Sequence, residues 1–352
     1  MNPHLLKKPL IVIGFILACT VALLTACQTN HFPVDHEQLS ADERIVIKFS
    51  HIVGENTPKG LAARKFAKLV NERTNGFVEV QVFPNGYLYK DGEELDALIN
   101  GDIQMVAPAM SKLSSVSPEW GVIDLPYAFQ TSEEVREYLQ GRMGEVLFHK
   151  LQMRGFHSLG IWDNGFKQMT NNIRPLIEPE DFSGLEFRIM SSSVLSSQFH
   201  HLSATTQTKS FNEVYQLLDN QEVNAQENTF SNIESKNLHS LQNYLTISDH
   251  GYLGYVVLMN DEFWSSLPED IKPIIEETME EVTDWEYKLA EELNEQSFNE
   301  IVKCECIDIH YLQEDEKQRW EKAFKPVYQE FEDRFGADYI KNLPKSKKAE
   351  DS

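Results

Sequence analysis

Apolar positions along the chain change period in a regular order. Ile45-Val46-Ile47-Lys48-Phe49-Ser50 reads as a strand, followed by a loop with Gly54 and Pro58. A helix is predicted from about Pro58 to Arg73, with Leu61, Phe66, Leu69 and Val70 as its main apolar residues and Gly76 just past its end. Next come a strand over Phe77–Phe83, a turn at Pro84-Asn85-Gly86, a helix through Glu93–Ile99 ending near Gly101, and a strand over Ile103–Ala107. Strand alternating with helix in this way predicts a parallel α/β sheet. Beyond Leu125-Pro126-Tyr127, helices are predicted at Ser132–Gln140 and Met143–Met153, then strands at Phe156–Trp162 and Phe166–Thr170. The alternation restarts at Leu185–Ile189, giving a second α/β unit over about 160–250, and strands Leu245–Ser248 and Tyr252–Met259 lead back to the first.

From Pro268 a long helical pattern runs to about Val302, with Ile271, Ile274, Ile275, Met279, Val282, Trp285 and Leu289 on one face and many Glu on the solvated face. Its length predicts a brace across two lobes. Two α/β units joined by crossing strands enclose a cleft at their strand C-termini, where ligands of such sheets bind.

The N-terminus changes the compartment. Lys7 and Lys8 precede an apolar run, Leu10–Leu24, that ends at Leu24-Thr25-Ala26-Cys27, a lipobox. A transmembrane anchor needs roughly 20 apolar residues, more than this run offers. The reading is a signal peptide over 1–26, a diacylglycerol on Cys27, and a polar tether through residue 43. The expected boundaries are then 44–160 with 250–335 for lobe I, 161–249 for lobe II, and a polar tail over 336–352.

The chain has 32 Lys+Arg against 55 Asp+Glu, a formal charge of −23, and loss of Lys7 and Lys8 with the leader takes it to −25. Such a surface repels nucleic acid. Exposed charge is screened beyond roughly 8 Å, so an anion site has to be a local basic pocket in an acidic body. With Cys19 in the leader and Cys27 lipidated, Cys304 and Cys306 remain, placed in a predicted strand over Lys303–His310. A ring closed between them there would be strained, and His310 alone is thin support for a metal site, so they read as structural thiols. No Gly-x-Ser-x-Gly, His-Glu-x-x-His, Walker or Gly-x-Gly-x-x-Gly motif is present. His200 and His201 diverge on a helix and read as one packed and one exposed residue rather than a metal pair. Trp162, Trp264 and Trp285 read as core or cleft walls. No enzyme, cofactor or metal chemistry is expected.

Several segments, in this order and spacing, carry a resemblance: Lys48-Phe49-Ser50-His51, Gly101-Asp102-Ile103-Gln104-Met105-Val106-Ala107-Pro108, Asp124-Leu125-Pro126-Tyr127, Trp162-Asp163-Asn164-Gly165-Phe166-Lys167-Gln168, Gly184-Leu185-Glu186-Phe187-Arg188, Phe211-Asn212-Glu213-Val214-Tyr215 and Gln226-Glu227-Asn228-Thr229. From about Ile45 to Phe335 the chain resembles the DctP family of solute receptors of tripartite ATP-independent periplasmic (TRAP) transporters, in its C4-dicarboxylate branch of binding lipoproteins. The resemblance implies a two-lobed, periplasmic-binding-protein-like fold and a ligand such as succinate, fumarate or malate, with another sugar acid or keto acid as the less favoured alternative. It implies either delivery to TRAP membrane subunits or signalling to a membrane sensor kinase or secondary carrier.

The family's carboxylate-clamping arginine falls on Arg188, whose planar fork suits a carboxylate and stays charged when desolvated. Its cleft asparagine falls on Asn228 and a wall aromatic on Phe211. Lys167 stands where sialic-acid receptors carry a second arginine, and Asn224-Ala225 replaces the usual Asp-Gly. Lys112, just past the Ala107-Pro108 strand end, is the expected cation of the first lobe. His51 and Trp162 are further expected lining residues. For Lys112 and Lys167 a surface position is the alternative.

Overall fold

The structure, a computed structural model, describes residues 44–344. The expected leader, Cys27 and tether lie outside the described residues.

Strand β1 (Ile45–Ser50), helix α1 (Pro58–Arg73), β2 (Val78–Phe83), α2 (Glu94–Ile99) and β3 (Met105–Val106) follow in the predicted alternation. Thr57 opens α1: its side chain accepts the Gly60 N–H, and Pro58 sits in the first turn, where its missing donor is not needed. Next are α3 (Met110–Leu113), α4 (Ser132–Gln140), α5 (Arg142–Gln152) and β4 (Phe156–Asn171). The second unit holds β5 (Glu186–Ile189), α6 (Ser193–His201), β6 (Thr205–Thr208), α7 (Val214–Asp219), β7 (Ala225–Asn228) and α8 (Phe230–Ser235). The chain returns along β8 (Tyr244–Asn260), then α9 (Asp261–Ser266), α10 (Ile271–Cys304), β9 (Asp308–Tyr311), α11 (Glu314–Ala323), α12 (Lys325–Phe335) and α13 (Asp338–Lys341).

Among the described residues, nine strands form one sheet in the order β2-β1-β3-β8-β4-β7-β5-β6, with β9 beside β8. Its middle is the antiparallel pair β4 and β8, of 16 and 17 residues, each spanning about 50 Å at roughly 3.3 Å per residue. The C-terminal half of β8 pairs with β3, and beyond that lie β1 and β2 in parallel; its N-terminal half pairs with β9. The C-terminal end of β4 pairs with β7, which continues in parallel to β5 and β6. The two lobes therefore share two strands rather than meeting through a linker.

Four separate strands were expected where two long ones run. Asp163-Asn164-Gly165 and Asp249-His250-Gly251 read as breaks, yet the ladder absorbs them as register shifts at Ser158/Gly160, Asp163/Gly165 and Lys167/Met169. Gly165 (φ 105°) and Asp249 (φ 45°) adopt the left-handed backbone these irregularities require.

Helix α10 is 34 residues, about 50 Å at roughly 1.5 Å per residue, and packs on α1, β4 and α8. Its buried positions Ile271, Ile275, Met279, Val282, Glu286 and Ala290 recur at intervals of three or four, the stripe that keeps one face on the sheet.

Three further expectations are corrected. Cys304 and Cys306 do not lie in a strand: α10 ends at Cys304, Glu305 turns left-handed (φ 51°), and the two cysteines form a disulfide with Cα atoms 5.1 Å apart. The turn supplies the approach that an extended segment would deny. The stretch after residue 335 is not wholly a polar tail, because Tyr339 and Leu343 are buried in the main core and Tyr138 donates its hydroxyl to the Tyr339 carbonyl. His200 and His201 are both exposed, and His201 bonds Glu330 at 2.7 Å.

Candidate ligand-binding site

The parallel strands of both lobes end at a shared polar cluster. Arg188 lies on β5, paired with Gln207 of β6 and Gln226 of β7, and is 1 % exposed. Its Nε and Nη2 donate to the Lys209 carbonyl at 2.9 and 2.7 Å, which fixes the plane of the guanidinium. Its Cζ is 6.0 Å from the centre of the Phe211 ring. Burial pulls Arg188 down to about 10, still charged at neutral pH.

Facing it from the other lobe is Asp91, in the loop between β2 and α2. Its carboxylate accepts the Phe211 N–H at 2.8 Å, lies 3.8 Å from Arg188 Nη2, and forms an ion pair with Lys112 of α3. Lys112 is buried, not a surface lysine. Burial, then repulsion from Arg188 and Lys59, push its ammonium well down.

Lys167, on β4 opposite Gly251 of β8, is also buried, and its Nζ bonds Glu227 Oε1 at 2.7 Å. A Cβ on Gly251 would stand 2.9 Å from Lys167 Cε, so the glycine makes room for the side chain. Glu227 Oε2 meets His250 Nε2 at 2.7 Å, and His250 Nδ1 meets Ser248 Oγ at 2.8 Å. Burial alone would raise the Glu227 carboxyl, but Lys167 and His250 outweigh it and hold it at about 2. Asn228, at the end of β7, accepts the Asn232 amide at 2.7 Å. Asn224 takes over the turn that precedes it, its side chain accepting the Glu186 N–H at 2.9 Å, and Ala225 needs no left-handed backbone.

The floor is apolar and cationic. His51 and Trp162 are fully buried, and Trp162 is tilted against Phe49 at 5.9 Å. Burial, and then Lys59, push His51 down to about 3. Lys59, in the first turn of α1, donates to the Ala107 carbonyl at 2.8 Å and sits 3.8 Å over the Tyr255 ring. Burial lowers it to about 8 against the attraction of Glu94 and Glu286, and burial raises Glu94 to about 7.

All seven expected residues, His51, Lys112, Trp162, Lys167, Arg188, Phe211 and Asn228, are buried at or beside this cluster. Sequence reasoning missed Lys59, Asp91, Glu227 and His250. Glu227 sat inside a quoted motif without a role. Lys59 was given no role, although the first turn of a helix that follows a strand C-terminus points at the cleft. By contrast, a groove of about 450 Å³ against α10 is lined by Asp163, Asp249 and Glu291 with Lys288 exposed, an acid-rich surface unsuited to an anion.

Comparison with known proteins places this geometry. Residues 49–334 match the sequence model of DctP, described as bacterial extracellular solute-binding protein, family 7. The chain is 45% identical over 334 residues to the C4-dicarboxylate-binding protein DctB of Bacillus subtilis, covering 95% of each. It is 42% identical to the C4-dicarboxylate-binding periplasmic protein DctP of Rhodobacter capsulatus, over 85% of this chain and 90% of that one. The crystal structure of a TRAP periplasmic solute-binding protein from Sulfurospirillum deleyianum with bound succinate superposes with a TM-score of 0.83 at 41% identity, over 85% of this chain and 98% of the other. A match over nearly the whole folded domain, in both sequence and two-lobed architecture, shows that the chain belongs to family 7 of the bacterial extracellular solute-binding proteins, the DctP family.

Proposed function

We propose that this protein is an extracytoplasmic receptor for C4-dicarboxylates such as succinate, fumarate and malate, and that it delivers them to a TRAP-type membrane transporter. The observation that carries the dianion is charge. Four cations, Lys59, Lys112, Lys167 and Arg188, are buried at the cleft, and two carboxylates, Asp91 and Glu227, contact them. With all six groups ionised, four less two leaves two positive charges. Burial pushes the other carboxyls nearby, Glu94, Asp124, Asp163 and Glu286, up and pushes Lys59 and Lys112 down, so both sets are moved toward neutrality, and a dianion entering beside the lysines favours their charged form. Relatives named for C4-dicarboxylates and a neighbour holding succinate agree with that count.

In this reading Arg188 clamps one carboxylate, Asn228 and Phe211 fix its orientation, and Lys59 or Lys112 meets the other. His51 and Trp162 shape the apolar middle. Lys167 acts by holding Glu227 rather than as a free cation. The lobes are residues 44–160 with 250–335 and 161–249, turning on the irregular crossing of β4 and β8, and a lipid on Cys27 tethers the protein at the extracytoplasmic face of the cell membrane. Calorimetry against succinate, fumarate, malate and butyrate tests the ligand class. Succinate should bind at least about tenfold more tightly than butyrate, since one charge-assisted contact contributes roughly 1.5–3 kcal/mol. Equal binding of the two would refute the two-ended site.

A further inference from the structure

A second cluster lies at the far end of α10. Cys304 closes the helix, Cys306 follows after the left-handed Glu305, and His239 approaches from the 3₁₀ turn Leu238–Leu241. One nitrogen of His239 and the two sulfurs all lie within 4.8 Å of one another, and Cys306 Sγ is 3.9 Å from the His239 carbonyl. The three are held by a common base, because Leu238, Ile301 and Ile307, their neighbours in sequence, are buried in the same apolar cluster. His239 Nδ1 is buried and has no hydrogen-bond partner, a cost of about 1–3 kcal/mol for a polar atom unless something is bound to it. Both cysteines are exposed, so reductant and metal have access.

We propose that, once its disulfide is reduced, Cys304, Cys306 and His239 form a site for a thiophilic divalent cation of the Zn²⁺ class. Two thiolates and an imidazole are a common three-ligand zinc set, with a fourth position left for water. Around such an ion, at Zn–S of about 2.3 Å and Zn–N of about 2.0 Å, the sulfurs stand roughly 3.8 Å apart. The three ligand atoms, within 4.8 Å of one another, stand close to that spacing, and breaking the S–S bond lets the sulfurs spread to it. The helix end assists, since the C-terminal carbonyls of α10 carry partial negative charge that favours a cation. The balance is simple. A small dithiol reduces the bond to two thiols and is itself oxidised to a disulfide; the metal then binds with release of both thiol protons, while the imidazole binds neutral. The site is thus gated by redox state: oxidised, the sulfurs are bonded to each other and unavailable.

The test uses the whole protein, reduced with dithiothreitol, desalted without oxygen and titrated with Cd²⁺. A near-ultraviolet thiolate-to-metal band should saturate at one equivalent and be displaced by Zn²⁺. The oxidised protein and C304S should give no such band. H239A, whose fold is checked by circular dichroism, should bind at least about tenfold more weakly, which is about 1.4 kcal/mol. The proposal is overturned if reduced wild type gives no saturable band, or if H239A and wild type bind Cd²⁺ alike, which would leave a dithiol without a built site.

Discussion

The cation that most directly separates a binding role from a structural one is Lys59. The other three buried cations touch a carboxylate; Lys59 has the Ala107 carbonyl and the Tyr255 face, with Glu94 and Glu286 acting only at longer range. Its folded pKa, about 8, is below the 10.5 of a free lysine because burial disfavours the ammonium. A group depressed in this way gives its full stability only above its unfolded pKa, and loses it as pH falls through the folded one. At pH 7 the loss is complete, about 2.5 pH units or about 3 kcal/mol. K59M removes that cost, and leaves the Ala107 carbonyl unpaired at about 1–2 kcal/mol. The net expectation is a ligand-free K59M roughly 1–2 kcal/mol more stable than wild type at pH 7. That advantage should disappear between pH 8 and about 10.5, where the wild-type lysine is free to deprotonate. Succinate binding should weaken by about 1.5–3 kcal/mol, or roughly tenfold to 150-fold, while butyrate binding changes far less. Urea unfolding at pH 7 and pH 9.5, with calorimetry for both ligands, reads all three. Unchanged succinate affinity, or a K59M less stable than wild type at pH 7, would refute the reasoning.

Arg188→Ala should abolish detectable binding, a loss of about 2–5 kcal/mol, and Arg188→Lys should also bind poorly because the fork is gone; calorimetry giving near-wild-type affinity for both would remove the clamp. Glu227→Gln leaves Lys167 buried beside a neutral amide and should cost roughly 3–5 kcal/mol of stability, so a denaturation midpoint close to wild type would contradict the buried pair. His51 is fully buried and pushed from 6.5 to about 3, so it opposes acid: its contribution is intact above pH 6.5 and lost as pH falls toward 3. Between pH 7 and 4.5 wild type should therefore lose about 2–3 kcal/mol that H51L keeps, measured as the difference in their thermal midpoints at the two pH values.

Much of the scaffold was legible because its elements are periodic and locally signalled. The predicted limits of α4 match the structure, and α1 begins at Pro58, where proline and a threonine cap fix the start. Strands β4 and β8 were cut in two because glycines and Asx residues signal turns locally, and only the partner strand converts such a signal into a bulge. The Cys304–Cys306 pair was misread for a related reason: whether two residues apart means extended or turned depends on where the preceding helix stops. In the site, the arginine, asparagine and phenylalanine could be named because a family pattern carries them. Their counter-charges could not, since no local signal tells a buried Asp91 from the many exposed acids around it.

Those counter-charges bear on how an acidic protein can hold an anion. The body repels a dicarboxylate only weakly at the range where salt screens it, whereas the buried cations act unscreened at contact. Lys59 and Lys112 rise from the α1 and α3 side of the cleft, and Lys167 and Arg188 stand on β4 and β5. Buried together, these four cations outnumber the two carboxylates that contact them by two, an imbalance that a dianion offsets. A monoanion cancels only one of the two, and a neutral acid neither. Charge complementarity therefore acts through the balance of the whole cleft as well as through each contact.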